Sequence, residues 1–165
     1  MVGSSDLGAS TVATAVFADS SAPVRRAAQF LLESLGFEVA GARDADEALS
    51  LVRGLDPDLL ILDARLPGSE GTSLVEAVRA LAGGARPCLF FVTENCGPAS
   101  VRAAMEAGAD DYLIKPFDRE LFAFKLTQAR ARGRLVEQPH PAVFAPRLVQ
   151  DNSNSWRFRT FGQAG

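Results

Sequence analysis

Leu59-Leu60-Ile61-Leu62-Asp63 is the stretch whose reading decides the fold. Four successive aliphatics between Pro57 and Pro67 read as a short strand buried on both faces, the pattern of a central parallel strand. Open α/β sheets bind their ligands outside the carboxyl ends of the strands, and Asp63 closes this strand at that place. An aspartate there also commonly caps a turn. Its company favours chemistry, because Asp19, Thr93 and Lys115 each close another apolar run.

Outward from that strand the chain alternates. Thr14-Ala15-Val16-Phe17-Ala18 reads as a first buried strand ending on Asp19-Ser20-Ser21. Pro23 suits the first turn of a helix, where its missing N–H costs nothing, and Gly36 ends that helix. Phe37-Glu38-Val39-Ala40 is more alternating, as expected of an edge strand. Asp44 followed by Glu47 predicts a capping box opening a helix through Val52 and Arg53. Beyond Asp63, Pro67-Gly68 and Gly71 shape a loop into a helix over about 72–82, stopped by Gly83-Gly84. Cys88-Leu89-Phe90-Phe91-Val92 reads as a fourth strand, closing on Thr93, and a helix over 98–106 ends at Gly108. Tyr112-Leu113-Ile114 makes a fifth strand closing on Lys115-Pro116, before a last helix over about 118–132 with a basic end. Five strands alternating with five helices predict an α/β fold: a doubly wound parallel sheet with helices on both faces. The expected organisation is a flexible leader at 1–12, one domain at 13–134 and an extended proline-containing tail at 135–165.

Composition narrows the function. A net charge of −3 over 165 residues argues against a general nucleic-acid binder. No apolar run is long enough to span a bilayer, and residues 1–10 lack the basic start of a signal peptide, so a cytoplasmic protein is expected. Cys88 and Cys96 make neither a zinc site nor a disulfide framework. His140, the one histidine, sits between two prolines in the tail, which disfavours histidine metal sites and a histidine-dependent triad.

The polar strand ends deliver Asp19 with Ser20, Asp63, Thr93 and Lys115 to one rim. Paired carboxylates can hold a hard cation such as Mg²⁺, and a hydroxyl with a lysine can hold phosphoryl oxygens. The set suits a carboxylate nucleophile that accepts a phosphoryl group. On Leu62-Asp63 with Leu66-Pro67-Gly68 and Gly71, Thr93, and Ala107-Gly108-Ala109-Asp110-Asp111-Tyr112-Leu113-Ile114-Lys115-Pro116-Phe117, the chain resembles the receiver domain of two-component response regulators over about 14–132. The resemblance implies strand order 2-1-3-4-5, Asp63 as phosphoacceptor, Thr93 as switch hydroxyl, Lys115 as phosphate-pairing lysine and Tyr112 as switch aromatic. It also implies Mg²⁺ held by Asp19, Asp63 and the Arg65 backbone carbonyl. Phosphoryl supply from a histidine kinase or phosphotransfer protein follows, with output by protein contact and a dimer through the fourth helix, fifth strand and fifth helix.

Three residues depart from the family pattern. Gapless counting from Gly36-Phe37 puts Ser20 where a second metal-binding acid is usual, while a one-residue insertion would put Ala18 and Asp19 in the two acidic places. Either way one carboxylate is missing and weakened Mg²⁺ binding is expected. Arg65 lies two residues after Asp63, and Glu94 follows Thr93 where small residues are usual. Pairing of Arg65 with Asp63 or Asp19, partly replacing the cation, is one expectation from that charge swap; a solvent-facing arginine is the other. In the tail, Trp156-Arg157-Phe158-Arg159-Thr160-Phe161 alternates with period two and could add to a sheet edge, though disorder is the first expectation for it. The favoured reading is a single-domain response regulator. The alternative is a pseudo-receiver, a binding module that works without phosphorylation. An aspartate-nucleophile phosphohydrolase fits less well, because Asp19-Ser20-Ser21 lacks the second Asp of an Asp-x-Asp motif.

Overall fold

The computed structural model describes residues 12–70, 72–81, 83–84, 86–94 and 97–136, and two further strands at 147–150 and 156–159. Most of the expected leader and much of the expected tail lie outside the described residues.

The strands β1 (Thr14–Ala18), β2 (Glu38–Ala42), β3 (Leu59–Asp63), β4 (Cys88–Thr93) and β5 (Asp111–Ile114) form one parallel sheet. Its order is β2-β1-β3-β4-β5, as the resemblance implies. Between them run α1 (Ala22–Ser34), α2 (Ala45–Leu55), α3 (Ser73–Ala80) and α4 (Pro98–Ala107), and α5 (Arg119–Ala131) follows β5. Alternate strand residues face opposite ways. Val16, Leu60, Leu62, Leu89 and Phe91 therefore join a core with Leu51, Leu74 and Val78 of α2 and α3. Phe17, Leu59, Ile61, Phe90 and Val92 join a second core with Leu32 of α1 and Phe122 and Leu126 of α5. Two buried faces explain why the central strands are apolar at nearly every position. Each fully buried Leu or Phe contributes about 2 kcal/mol relative to exposure.

Local signals place the helix ends. Ser21 caps α1 by accepting from Val24 N–H, with Pro23 in the first turn. Asp44 caps α2, accepting from Glu47 N–H at 2.9 Å. Glu47 reaches back to the N–H of Arg43, one residue before the cap, so the expected box closes one position early. Asp118 caps α5 by accepting from Leu121 N–H at 2.8 Å.

Three differences from the expected bounds have a tertiary cause. β2 starts at Glu38 and continues to Ala42, because its backbone follows β1 in register from Thr14↔Glu38 to Ala18↔Ala42. It is an edge of the five-stranded sheet, as expected. α3 stops at Ala80, short of the glycine pair. The chain folds back there so tightly that a Cβ on Gly84 would lie 2.0 Å from the Val78 carbonyl oxygen. The third difference is in the tail. Trp156–Arg159 (β7) is a strand, but it pairs antiparallel with Arg147–Gln150 (β6) instead of joining the main sheet. β6 runs close to the edge strand β2. Backbone hydrogen bonds between β6 and β7 pair these two strands with each other.

Candidate functional site

The parallel register brings the expected residues to one rim. Asp63 ends β3 beside Val92 of β4, Thr93 ends β4 beside Ile114, and Lys115 follows β5. The Lys115 N–H donates to the Thr93 carbonyl at 2.9 Å, and the Lys115–Pro116 peptide is cis. Lys115 Nζ stands 2.6 Å from Asp19 Oδ2 and 3.4 Å from Asp63 Oδ2. One ammonium thus bridges carboxylates delivered by two strands. The Asp63 side chain is 9 % exposed and that of Asp19 is 3 % exposed. Burial pulls the Lys115 pKa down, but the hydrogen bond to Asp19 and the charges of Asp63 and Asp19 outweigh it. The net direction is upward from its ordinary value.

Asp19 is held from several sides. Its N–H donates to the Ala42 carbonyl, its Oδ1 accepts from Ser21 N–H at 2.8 Å, and its carbonyl accepts from Arg25 Nη1 at 2.6 Å. Arg25 is not singled out by the sequence reading; its position six residues after Asp19, in the first turns of a helix leaving that strand, is the available signal. Ser20 is exposed.

The Arg65 expectation is corrected. Its guanidinium pairs with Glu94, not with Asp63 or Asp19, and both partners are largely exposed. Lys115 already pairs with both aspartates, which leaves Glu94 as the carboxylate that Arg65 reaches.

Tyr112 is half-buried on β5, with Lys125 Nζ 4.7 Å from its ring centroid. Lys125 is also bound to Asp111 at 2.7 Å, and Arg132 binds the other oxygen of Asp111 at 3.0 Å. Burial raises the Asp111 pKa, but the hydrogen bonds from Lys125, the Tyr112 N–H and Arg132 outweigh it and hold it below the ordinary value. These partners of Tyr112 were not foreseen; they rest on the spacing of α5 against β5. A cleft of about 580 Å³ adjoins the rim, lined by Val24, Ala27 and Leu31 of α1 with Glu94, Lys115 and Phe117.

Among the described residues no group of three or more acidic, cysteine or histidine side chains is placed to hold a metal ion. Two carboxylates on one ammonium remain, and Mg²⁺ is often bound by one or two carboxylates together with phosphate oxygens and water. The donor set fits Mg²⁺ with one charged ligand fewer.

Comparison with known proteins agrees with this geometry. Residues 16–126 match the family described as response regulator receiver domain. The DNA-binding response regulator MtrA of Mycobacterium tuberculosis is 36% identical over 118 residues, covering 71% of this chain and 48% of that protein. The transcriptional regulatory protein PrrA of the same organism is 40% identical over 99 residues, covering 59% of this chain and 42% of that protein. The chain thus spans under half the length of these relatives. Among solved structures, the chemotaxis response regulator CheY4 of Vibrio cholerae superposes with a TM-score of 0.67 at 28% identity, over 72% of this chain and 98% of that one. The receiver domain of sensor histidine kinase PA1611 from Pseudomonas aeruginosa, with magnesium coordinated in its active site cleft, gives 0.62 at 28% identity, over 71% and 95%. With sheet order and sequence in agreement, this chain belongs to the response regulator receiver domain family of two-component signalling.

Proposed function

We propose that Asp63 accepts a phosphoryl group from a histidine kinase or phosphotransfer protein and that the chain passes the signal on by protein contact. The observation that carries this reading is the Lys115 ammonium shared between Asp19 and Asp63 at a buried strand end. A carboxylate oxygen of Asp63 forms the new P–O bond while the P–N bond of the donor breaks. The electron pair of that bond stays with the imidazole nitrogen, and the product is an acyl phosphate. Lys115 screens the incoming negative charge, which the carboxylates would otherwise repel. The apolar wall of α1 beside the rim offers a docking surface for the donor segment.

Asp19, Asp63 and the Arg65 carbonyl would hold Mg²⁺, with Ser20 at the position of the lost charge. Bound there, the cation would neutralise phosphoryl oxygens during transfer. After transfer, the extra charge biases Thr93 and Tyr112 between two packings and alters the α4–β5–α5 face, through which partner binding or dimer formation follows. The site acts in the cytoplasm as a signalling domain whose own chemistry is limited to gaining and losing this phosphoryl group; no described helix is long and apolar enough to cross a membrane.

Acetyl phosphate with Mg²⁺ tests the reading by intact mass. A phosphoryl increment that disappears in Asp63→Asn is expected; an increment that persists in the variant sinks it. Serine at position 20 and Glu94 at the rim favour a second reading, the pseudo-receiver. That reading gains if neither acetyl phosphate nor a phosphorylated phosphotransfer domain modifies the protein.

A further inference from the structure

Arg65 and Glu94 are the two charged groups at this rim that acceptor chemistry leaves unassigned. Asp63 and Val92 are register partners across β3 and β4, and Arg65 and Glu94 each lie two residues beyond that pair. The ion pair between them therefore links the turn after β3, two residues past Asp63, to the start of the loop after β4. Both side chains are more than half exposed, at 70% and 55%. Exposed pairs of this kind are weakly held, so the pair exchanges readily.

The chemistry decides what it exchanges for. A guanidinium presents a planar fork of donors that matches phosphate oxygens, and a phosphoryl dianion offers it more charge than one carboxylate does. At the rim Lys115 pairs with Asp19 and Asp63, Arg25 holds the Asp19 carbonyl, and Arg65 pairs with Glu94. Serine at position 20 removes one of the charges that would draw in a divalent cation. Phosphorylation of Asp63 adds a further negative charge at that point, and Lys115 is already shared between Asp19 and Asp63.

We propose that Arg65 is a phosphoryl-binding residue, held at the rim by Glu94 until Asp63 is phosphorylated and then transferred to the phosphoryl oxygens, where it supplies part of the charge otherwise drawn from Mg²⁺. Glu94 acts as a positioning residue. Once released, its carboxylate stands next to the switch residue Thr93 and is repelled by the phosphoryl group. The inference rests on Asp63 being the acceptor.

Acetyl phosphate serves as donor in the test, its P–O bond breaking with the electron pair leaving on acetate. Intact mass follows modification of wild type, Arg65→Gln, Arg65→Lys, Glu94→Gln and Asp63→Asn across a Mg²⁺ titration and in EDTA. A second readout is the lifetime of the phosphorylated form in EDTA after donor removal. Wild type is expected to be modified in EDTA. Arg65→Gln loses that metal-free reaction about tenfold, the loss of one charge-assisted contact, and its deficit shrinks as Mg²⁺ rises. Arg65→Lys recovers part of it, and Glu94→Gln speeds it. Both residues are exposed, so the variants should fold, which circular dichroism checks. Equal Mg²⁺ dependence and equal lifetime in wild type and Arg65→Gln overturn the inference, as does a wild type inert in EDTA but modified with Mg²⁺; both leave Asp63 as acceptor. A wild type that matches Asp63→Asn under every condition overturns the acceptor reading and this inference with it.

Discussion

Lys115 shows how one side chain can be both structural and chemical. Its ammonium lies between Asp19 and Asp63, and removing it leaves Asp19 buried without its cation. Lys115→Ala should cost about 2–3 kcal/mol by denaturant unfolding at neutral pH, somewhat below a fully buried pair because Lys115 is partly exposed. The pH dependence has a definite sign. The folded pKa of Lys115 lies above the ordinary 10.5, so its contribution is fully present below that value and is lost as pH rises through the folded pKa. The stability difference between wild type and Lys115→Ala should therefore be flat from about pH 6 to pH 9 and shrink only in the alkaline range. A difference that shrinks already near neutrality would contradict this account. Thr93 and Asp63 were readable as strand-end residues, whereas the partner of Arg65 was not. Which carboxylate a long cation reaches depends on what else already fills the space.

At the scale of elements, Arg79 of α3 ties together the lower end of the sheet. It donates to the carbonyls of Gly108, Gly84 and Pro87 and pairs with Asp110 at 2.9 Å, all at low exposure. Arg134, beyond α5, binds the same aspartate at 2.7 Å. Four donor contacts from one side chain join the ends of α3 and α4 to the starts of β4 and β5. Arg79→Ala should lower stability by about 3 kcal/mol with an unchanged denaturant slope. Gly108 depends on the same packing: its φ is +118°, and a Cβ would lie 2.9 Å from Arg79 Cγ. Gly108→Ala should cost about 1–3 kcal/mol, read as a lowered unfolding midpoint. Gly108 was legible as a helix stop. Arg79 was not, since nothing local in the helix sequence marks an arginine whose partners lie up to 31 residues away.

For the whole molecule, the two-stranded β6–β7 sheet is separate from the five-stranded one, though β6 runs near β2. A lone hairpin is marginal in water, so it adds little to the stability of the larger sheet. A chain ending at Val136 should unfold in one transition within about 1 kcal/mol of the full chain and retain modification at Asp63. A larger loss would show that the hairpin is needed to cover the β2 edge. The two cores on opposite faces of one sheet meet every central strand, so that transition should be cooperative.

The sequence by itself determined the alternation of strands and helices, because burial on both faces demands continuous apolar strands and caps demand particular residues at helix ends. It also determined which polar residues close those strands: Asp19, Asp63, Thr93 and Lys115 follow from the position of each apolar run. Their expected roles came from resemblance to the family. Only the tertiary structure decided how the charges pair. Lys115 fills the gap between Asp19 and Asp63, Arg65 turns to Glu94, and Lys125 lies over Tyr112. The tail hairpin belongs with these, since its backbone could pair with itself or with the sheet edge. Local pattern fixes where a side chain leaves the backbone; competition among all neighbours within reach fixes what it binds.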